Sequence, residues 1–200
     1  MVSVEGLAVI LSLAGVWWTS VRNPVCWPVG LASVLLYAWV FAGARLYSDA
    51  LLQAVYAVLQ CYGWWNWRRA AAAGASDGAA SARLAARPAV VRPQARALVL
   101  ALAAGAAAAL VLGALMARFT DAARPWFDAA LAALSLVAQF WMARLYRVNW
   151  LLWIAVDVAY VLLYLDRGLP LTAALYAVFV ALAGFGWWKW RPPLRAAAAA

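Results

Sequence analysis

The sequence predicts an all-α membrane protein with seven transmembrane helices, in which two parallel three-helix repeats flank a single connector helix. Three observations support this fold class. The 200 residues are 70% hydrophobic and only 12% charged, which leaves too little polar surface to cover a water-soluble domain. Seven apolar segments are long enough to cross a bilayer. The third observation is an internal duplication at a constant offset of 123 residues.

The duplication is clearest in a tryptophan-rich block. Residues 63–68, Gly-Trp-Trp-Asn-Trp-Arg, return 123 positions later as residues 186–191, Gly-Trp-Trp-Lys-Trp-Arg. With no gap, the same offset aligns three further pairs of aromatic residues: Trp18 with Trp141, Trp27 with Trp150, and Tyr37 with Tyr160. A fixed offset held over about fifty residues indicates gene duplication.

The spans follow from the requirement of about 20 apolar residues for a helix that crosses roughly 30 Å of hydrocarbon. The segments that meet it are 4–20, 25–42, 49–67, 96–117, 126–144, 149–165 and 169–190. The first three map onto the last three by the offset, whereas the fourth has no counterpart. That extra crossing restores the original chain direction, so we expect parallel rather than inverted repeats.

The order of these segments predicts the organisation of the chain. The first segment lacks a positively charged n-region and ends in two tryptophans, so we interpret it as a retained span and not as a signal peptide. The stretch after the third span is rich in Ala, Gly, Ser and Pro, as a linker is. The predicted units are a first repeat (1–69), a cytoplasmic linker (70–95), the connector helix (96–117) and a second repeat (124–192).

Lys and Arg residues predict the orientation. The side of the membrane that holds the linker and the C-terminus carries twelve of them, and the other side carries four. The positive-inside rule places the richer side in the cytoplasm, with the N-terminus outside. Because the basic residues gather at the ends of apolar runs, we expect membrane lipids and not nucleic acid as their partners.

Several kinds of chemistry are excluded or disfavoured. The chain has no His, and it contains no phosphate-binding glycine loop, zinc motif or nucleophile elbow. Cys26 and Cys61 both lie in apolar stretches without metal-ligand spacing. The sequence therefore predicts no metal site, no cofactor and no enzymatic activity.

One face of the sixth span carries polar and aromatic residues spaced three and four apart, which places them together on a helix. They are Trp150, Trp153, Asp157, Tyr160 and Tyr164. Asp157 is expected about 10 Å from the cytoplasmic end of the span. An acid at the centre of a span costs about 2.5–3.5 kcal/mol, so we expect it to have a functional role, such as lining a pathway for a transported molecule. The alternatives are a structural hydrogen bond between helices and a protonated carboxyl that faces a cavity.

The third span carries a second polar line at helical spacing, made of Gln53, Tyr56, Gln60 and then Gly63 or Trp64. Its copy in the seventh span reads Tyr176, Phe179, Ala183 and Gly186, so the amides occur in one copy alone. An asymmetric ligand near the axis between the repeats would suit that difference. Gln139 adds another amide at the depth of Trp141. Hydrogen bonding between helices explains each glutamine taken singly equally well.

The tryptophans divide into two predicted groups. Trp65, Trp67, Trp188 and Trp190 close their spans beside Arg68 and Arg191, where interfacial aromatic residues are expected. Trp150 and Trp153 instead share the face of Asp157 and are predicted to form one wall of an aqueous cavity. An aromatic wall beside a carboxylate suits a flat, positively charged ring, since a desolvated cation–π contact contributes about 2 kcal/mol.

Three motifs lie in the third, sixth and seventh predicted spans. They are residues 149–154 followed by Asp157 and Tyr164, residues 168–179 leading into the Gly-Trp-x-x-Trp ending, and residues 47–65 with Gln53, Tyr56 and Gln60. With these motifs the sequence resembles the PnuC family of vitamin transporters, whose members carry nicotinamide riboside and whose relatives carry thiamine or riboflavin. One departure from the family is Asp157, which stands where many members have Asn.

The resemblance implies a SWEET-like arrangement of two three-helix bundles, a homotrimer, and a vitamin site midway between the bundles. It also implies uptake by facilitated diffusion across a bacterial inner membrane, with a cytoplasmic kinase that traps the substrate. The matching positions are Trp150, Trp153, Asp157 and Tyr164 in the sixth span, and Gln53, Tyr56, Gln60 and Trp64 in the third.

Other interpretations of the same residues stay open. A thiamine or riboflavin transporter would have the same fold. The carboxylate of Asp157 would favour a cationic ligand or couple a proton. A membrane enzyme that acts on lipid-linked or quinone substrates lacks the paired acids it would need. If the protein is instead a scaffold subunit, we expect Asp157 to have no ligand to bind.

Overall fold

The computed structural model describes residues 2–43, 47–74, 87–121 and 124–191. These residues form seven α-helices and, within the described ranges, no β-strand beyond an isolated bridge. The helices are α1 (Val2–Ser20), α2 (Cys26–Gly43), α3 (Tyr47–Gly74), α4 (Ala95–Phe119), α5 (Pro125–Ala143), α6 (Asn149–Asp166) and α7 (Pro170–Lys189). The predicted all-α fold of three, one and three helices is confirmed.

Five of these helices, α2, α4, α5, α6 and α7, are long and apolar enough to cross a membrane by length and composition alone. In α1 the apolar stretch covers Gly6–Ser20. At 28 residues α3 is the longest helix and continues past residue 67, where the predicted span ends. Its glutamines, tyrosines and terminal arginines lower its hydropathy.

Among the described residues the helices pack as a closed ring with one helix outside it. Around the ring, α1 contacts α2, α2 contacts α3, α3 contacts α5, α5 contacts α6, α6 contacts α7, and α7 contacts α1. The two joints between the repeats, α3 with α5 and α7 with α1, are equivalent under the duplication. The connector α4 packs on the outer side of α5, where Gly105 and Gly113 face Val137 and Trp126.

The duplication extends to the turns that follow the first helix of each repeat. Arg22 and Leu145, 123 positions apart, both have left-handed backbones, with φ of 58° and 61°. That conformation costs a residue with a side chain roughly 1–2 kcal/mol. Both turns lie at the end of the ring where α1, α3, α5 and α7 finish. We call it the basic end, because the predicted spans place twelve of the sixteen Lys and Arg residues on this side.

Residues 87–94 run across both of these turns. The guanidinium of Arg22 donates a hydrogen bond to the carbonyl of Pro88 at 3.2 Å. The amide of Val91 donates to the carbonyl of Leu145 at 3.0 Å. The end of the predicted linker is therefore fixed to equivalent places on the two repeats.

Four tryptophans form a cluster at the basic end, and this corrects part of the sequence prediction. The ring centroids of Trp27 and Trp67 are 5.2 Å apart, those of Trp67 and Trp190 5.7 Å, and those of Trp150 and Trp190 5.5 Å. Trp67 and Trp190 are fully buried, so the prediction that they face the membrane interface is wrong. Trp65 and Trp188 are 54% and 53% exposed, as an interfacial position requires.

The buried indole N–H groups of Trp67 and Trp190 are satisfied because each hydrogen bonds to the opposite repeat. The indole N–H of Trp67 donates to the carbonyl of Met142 at 3.1 Å. The indole N–H of Trp190 donates to the carbonyls of Thr19, at 3.3 Å, and of Ser20, at 3.1 Å. Thr19 and Met142 are equivalent positions, so the cluster joins the repeats by two matching bonds.

A glycine in each repeat makes room for this cluster. A Cβ added at Gly63 would collide with the ring of Trp27, and one added at Gly186 would collide with the ring of Trp150. The glycine of each tryptophan-rich block is therefore the seat of an indole from the preceding helix.

Candidate functional site

A cavity of about 340 Å³ lies inside the ring of helices. All six ring helices contribute to its lining, whereas no described residue of α4 does. The volume is within the range of about 300–1,000 Å³ that is typical of small-molecule sites. The tryptophan cluster lies beneath the cavity at the basic end, since Trp27 and Trp150 both belong to the cluster and line the cavity.

Equivalent positions of the two repeats line this cavity in pairs. The pairs are Ser12 with Ser135, Val16 with Gln139, Thr19 with Met142, Trp27 with Trp150, Gly30 with Trp153, Val34 with Asp157, Tyr37 with Tyr160, Gln53 with Tyr176, Tyr56 with Phe179, and Gln60 with Ala183. The cavity therefore straddles the axis that relates the repeats. Three pairs are identical in sequence, and the others make the two walls chemically different.

Asp157 is the acidic side chain of this cavity. It is 5% exposed and lies on α6, where the equivalent position of α2 is Val34. Its carboxyl interacts electrostatically with the hydroxyls of Tyr56 and Tyr176. Among the described residues that line the cavity there is no second acid, and there is no Lys or Arg. When ionised, the carboxylate has no compensating charge from the lining, so the cavity favours a cation.

Indoles form the wall next to this acid. Trp150 and Trp153 precede Asp157 by two turns and one turn of α6, so the three side chains share one face. The N–H groups of Trp150 and Trp153 are buried and make no hydrogen bond with the described residues. The wall thus combines aromatic faces, which attract cations, with two unused donors.

Amides and hydroxyls supply the remaining polar groups of the cavity. Gln53 and Gln60 project from α3, and Gln139 from α5. The hydroxyl of Tyr56, also on α3, interacts with that of Ser135 on α5, across a joint between the repeats. Groups of this kind recognise hydroxyls and carboxamides of a ligand.

Eight of the ten residues singled out from the sequence line the cavity: Gln53, Tyr56, Gln60, Gln139, Trp150, Trp153, Asp157 and Tyr160. Tyr164 lies behind them, with its ring 6.0 Å from that of Tyr160 and 5.3 Å from that of Tyr176. Trp64 is 37% exposed on the outer surface of α3, with Arg68 5.9 Å from its ring. On that turn of α3 it is Gly63 that faces inward, beneath Trp27.

The serines of the cavity are candidate site residues that the spacing patterns of the spans did not reveal. The hydroxyls of Ser12 and Ser33 lie 2.8 Å apart and both contact the carbonyl of Ala8, which joins α1 to α2. Ser135 is the copy of Ser12 in α5. The constant offset was the signal that could have identified this pair, because identical polar residues in two spans stand out once the repeats are aligned.

Comparison with known proteins finds a transporter family and transporters as relatives. A family model described as nicotinamide mononucleotide transporter matches residues 3–192. The nicotinamide riboside transporter PnuC of Escherichia coli strain K12 is 25% identical over 202 residues, which cover 92% of this chain and 84% of that protein. The riboflavin/roseoflavin transporter RibM of Streptomyces davaonensis is 32% identical over 171 residues, covering 84% of this chain and 76% of RibM.

The fold has a counterpart among solved structures. The chain is similar to a crystal structure of the vitamin B3 transporter PnuC, with a TM-score of 0.71 and 25% sequence identity. The similarity covers 94% of this chain and 80% of that chain. The resemblance to PnuC transporters that the motifs indicated is therefore confirmed.

Proposed function

The chain belongs to the nicotinamide mononucleotide transporter family, and from that premise we propose that it takes up nicotinamide riboside by facilitated diffusion. The observation that carries this proposal is the acid at Asp157 beside the indoles of Trp150 and Trp153, in a cavity with no basic lining residue among those described. Nicotinamide riboside has a flat, positively charged pyridinium ring. Its charge complements the carboxylate, and its ring suits an aromatic wall.

The same observation favours the riboside over its phosphorylated form. A nucleotide phosphate adds negative charge, which Lys and Arg side chains ordinarily bind. The described lining of the cavity offers a carboxyl group and no such cation. We therefore expect the mononucleotide to bind much more weakly than the nucleoside.

The proposed transport cycle uses the two three-helix bundles of the ring. Rocking of one three-helix bundle against the other exposes the cavity to each side in turn. Lys and Arg residues at the basic end favour its placement in the cytoplasm, with the N-terminus outside a bacterial inner membrane. A cytoplasmic kinase that phosphorylates the riboside then prevents its return. We also propose that the working unit is a homotrimer.

A riboflavin transporter of the same fold is the second candidate, because RibM is 32% identical to this chain. Its substrate has a larger ring system that is uncharged at neutral pH, and so does not use the acid. Thiamine is cationic and fits the charge of the cavity, but lacks a ribose for the amides to bind.

The experiment that tests the proposal is uptake of radiolabelled nicotinamide riboside into liposomes that contain the purified protein. Unlabelled nicotinamide riboside should abolish the signal, whereas equal concentrations of nicotinamide mononucleotide and riboflavin should leave most of it. Failure of the unlabelled riboside to compete would overturn the proposal. Saturable uptake of labelled riboflavin or thiamine in its place would establish the corresponding alternative.

A further inference from the structure

The cavity is made asymmetric by an exchange of large and small residues between the repeats. In the first repeat, α2 has Gly30 and α3 has Gln60. At the equivalent positions of the second repeat, α6 has Trp153 and α7 has Ala183. Each pair of neighbouring helices thus combines one large and one small side chain, with the large one on α3 in one repeat and on α6 in the other. All four residues line the cavity.

Gly30 is in direct contact with the amide of Gln60. A Cβ added at Gly30 would lie 2.5 Å from the Nε2 atom of Gln60, and 3.0 Å from both Cδ and Oε1. The side-chain amide therefore rests on the backbone of α2, in space that every residue except glycine fills. On the side of Gly30 that faces α1, the packing is less tight. The Cβ of an alanine at Gly15 would be 3.8 Å from the Gly30 nitrogen, an ordinary van der Waals separation.

The second repeat shows the opposite arrangement. Ala183 is 1% exposed and belongs to the buried cluster against which Trp153 packs. From the equivalence of the repeats we infer that the methyl group of Ala183 leaves room for the indole of Trp153, at the position where α3 presents the amide of Gln60. Since equivalent residues lie on opposite sides of the axis between the repeats, the amide wall and the indole wall face each other across the cavity.

We propose that Gly30 is a specificity-determining positioning residue, which holds the Gln60 amide in the cavity across from the Trp153 indole. Gly30 does not bind the ligand through a side chain of its own; it acts through Gln60. The ligand class that fits has a flat ring on one side and a hydrogen-bonding hydroxyl or carboxamide on the other, as a nucleoside has. This inference rests on the proposed function and adds to it the residue that sets the polar wall.

The test is a double-mutant cycle with Gly30→Ala, Gln60→Ala and the double variant, measured by nicotinamide riboside binding and by uptake. Each single change should weaken binding about tenfold, because the ligand loses its hydrogen bond to the amide. In the Gln60→Ala background, Gly30→Ala should have no further effect. The KM of uptake should rise and the maximal rate should be kept, as expected for lost ground-state binding. Gly184→Ala is the control, because its Cβ meets nothing within 4 Å.

A loss from Gly30→Ala that persists in full when Gln60 is already alanine would overturn the proposal, since Gly30 would then act through helix packing alone. The same cycle measured by thermal unfolding needs no ligand. Destabilisation by Gly30→Ala that disappears in the Gln60→Ala background supports the contact, and additive destabilisation refutes it. If the unmodified protein binds no riboside, the proposed function fails, while the unfolding cycle still decides whether Gly30 positions Gln60.

Discussion

Asp157 has no acidic counterpart in the first repeat, since the equivalent residue in α2 is Val34. The side chain is 5% exposed, shares one face of α6 with the indoles of Trp150 and Trp153, and lies near the hydroxyls of Tyr56 and Tyr176. A carboxyl group held this far from bulk water is costly unless a partner compensates it. A cationic ligand is such a partner, and this explains why the acid would be kept.

Replacing Asp157 by asparagine tests this role with almost no change in shape. We expect binding of nicotinamide riboside to weaken by at least about tenfold, because a charge-assisted contact becomes a neutral one. Isothermal titration calorimetry on the purified variant in nanodiscs measures the change. The matched control is Asp166→Asn, whose carboxylate pairs with Arg124 at 2.7 Å on the exposed surface and should not affect binding. Equal affinity of the Asp157→Asn variant for the riboside would remove the charge argument.

Trp190 joins the repeats through its indole N–H, and this bond can be removed without changing the ring character of the side chain. Trp190→Phe should destabilise the protein by about 1–3 kcal/mol, because buried acceptors at the end of α1 lose their donor and a smaller ring leaves a gap. Thermal unfolding in detergent measures the shift. Trp188→Phe provides the comparison, since Trp188 is 53% exposed. Equal stability of the two variants would contradict the structural role.

At the scale of helices, packing between neighbours depends on one glycine in each repeat. Gly186→Ala should destabilise the contact between α6 and α7, because the new Cβ collides with the ring of Trp150. Overpacking of this kind costs about 1–3 kcal/mol or more. Gly184→Ala, two positions earlier on α7 and on a different face of that helix, has open space around its Cβ and should have little effect. Thermal unfolding of both variants decides, and a neutral Gly186→Ala would mean that α7 can shift away from Trp150 without cost.

The seven helices and their order were predictable from the sequence, because apolar length and the constant offset both depend on the chain alone. The neighbour of each side chain was not. Trp67 and Trp65 belong to one block, yet the first is buried against α5 and the second faces outward. Hydropathy does not distinguish these two environments for an indole at the end of a span. Likewise, helical spacing left Gly63 and Trp64 as alternatives for the inner face, and contact with Trp27 selects Gly63.

For the molecule as a whole, the tryptophan cluster keeps the symmetry of the two repeats, whereas the cavity does not. The tryptophan cluster is symmetric, because Trp27 packs on Trp67 as Trp150 packs on Trp190. The indole N–H groups of Trp67 and Trp190 donate to equivalent carbonyls of the opposite repeat. The cavity above it is asymmetric, with the acid and an indole on α6 and two amides on α3. A symmetric base lets the bundles meet along two equivalent joints, and an asymmetric cavity suits a ligand whose two ends differ.

The charged groups of the cavity also bear on whether transport is coupled to protons. In the described part of the cavity, Asp157 is the acid, and it has no basic residue or second acid beside it to form a relay. We therefore expect vesicles without a kinase to equilibrate labelled nicotinamide riboside and never to concentrate it. The measurement is the internal concentration at long times, with an imposed pH gradient and without one. Equal plateaus support facilitated diffusion, since the cation would neutralise the carboxylate in place of a proton.

The opposite outcome has an equally definite cause. Accumulation above the external concentration that a protonophore abolishes would show that a proton moves with the substrate, and Asp157 is the group in the cavity that would carry it. The Asp157→Asn variant then distinguishes the two mechanisms. Under proton coupling, it should still exchange labelled for unlabelled riboside but lose accumulation, because exchange needs only the rocking of the bundles. Under facilitated diffusion, it should reach the same plateau as the unmodified protein, more slowly at low substrate concentration because its affinity is lower.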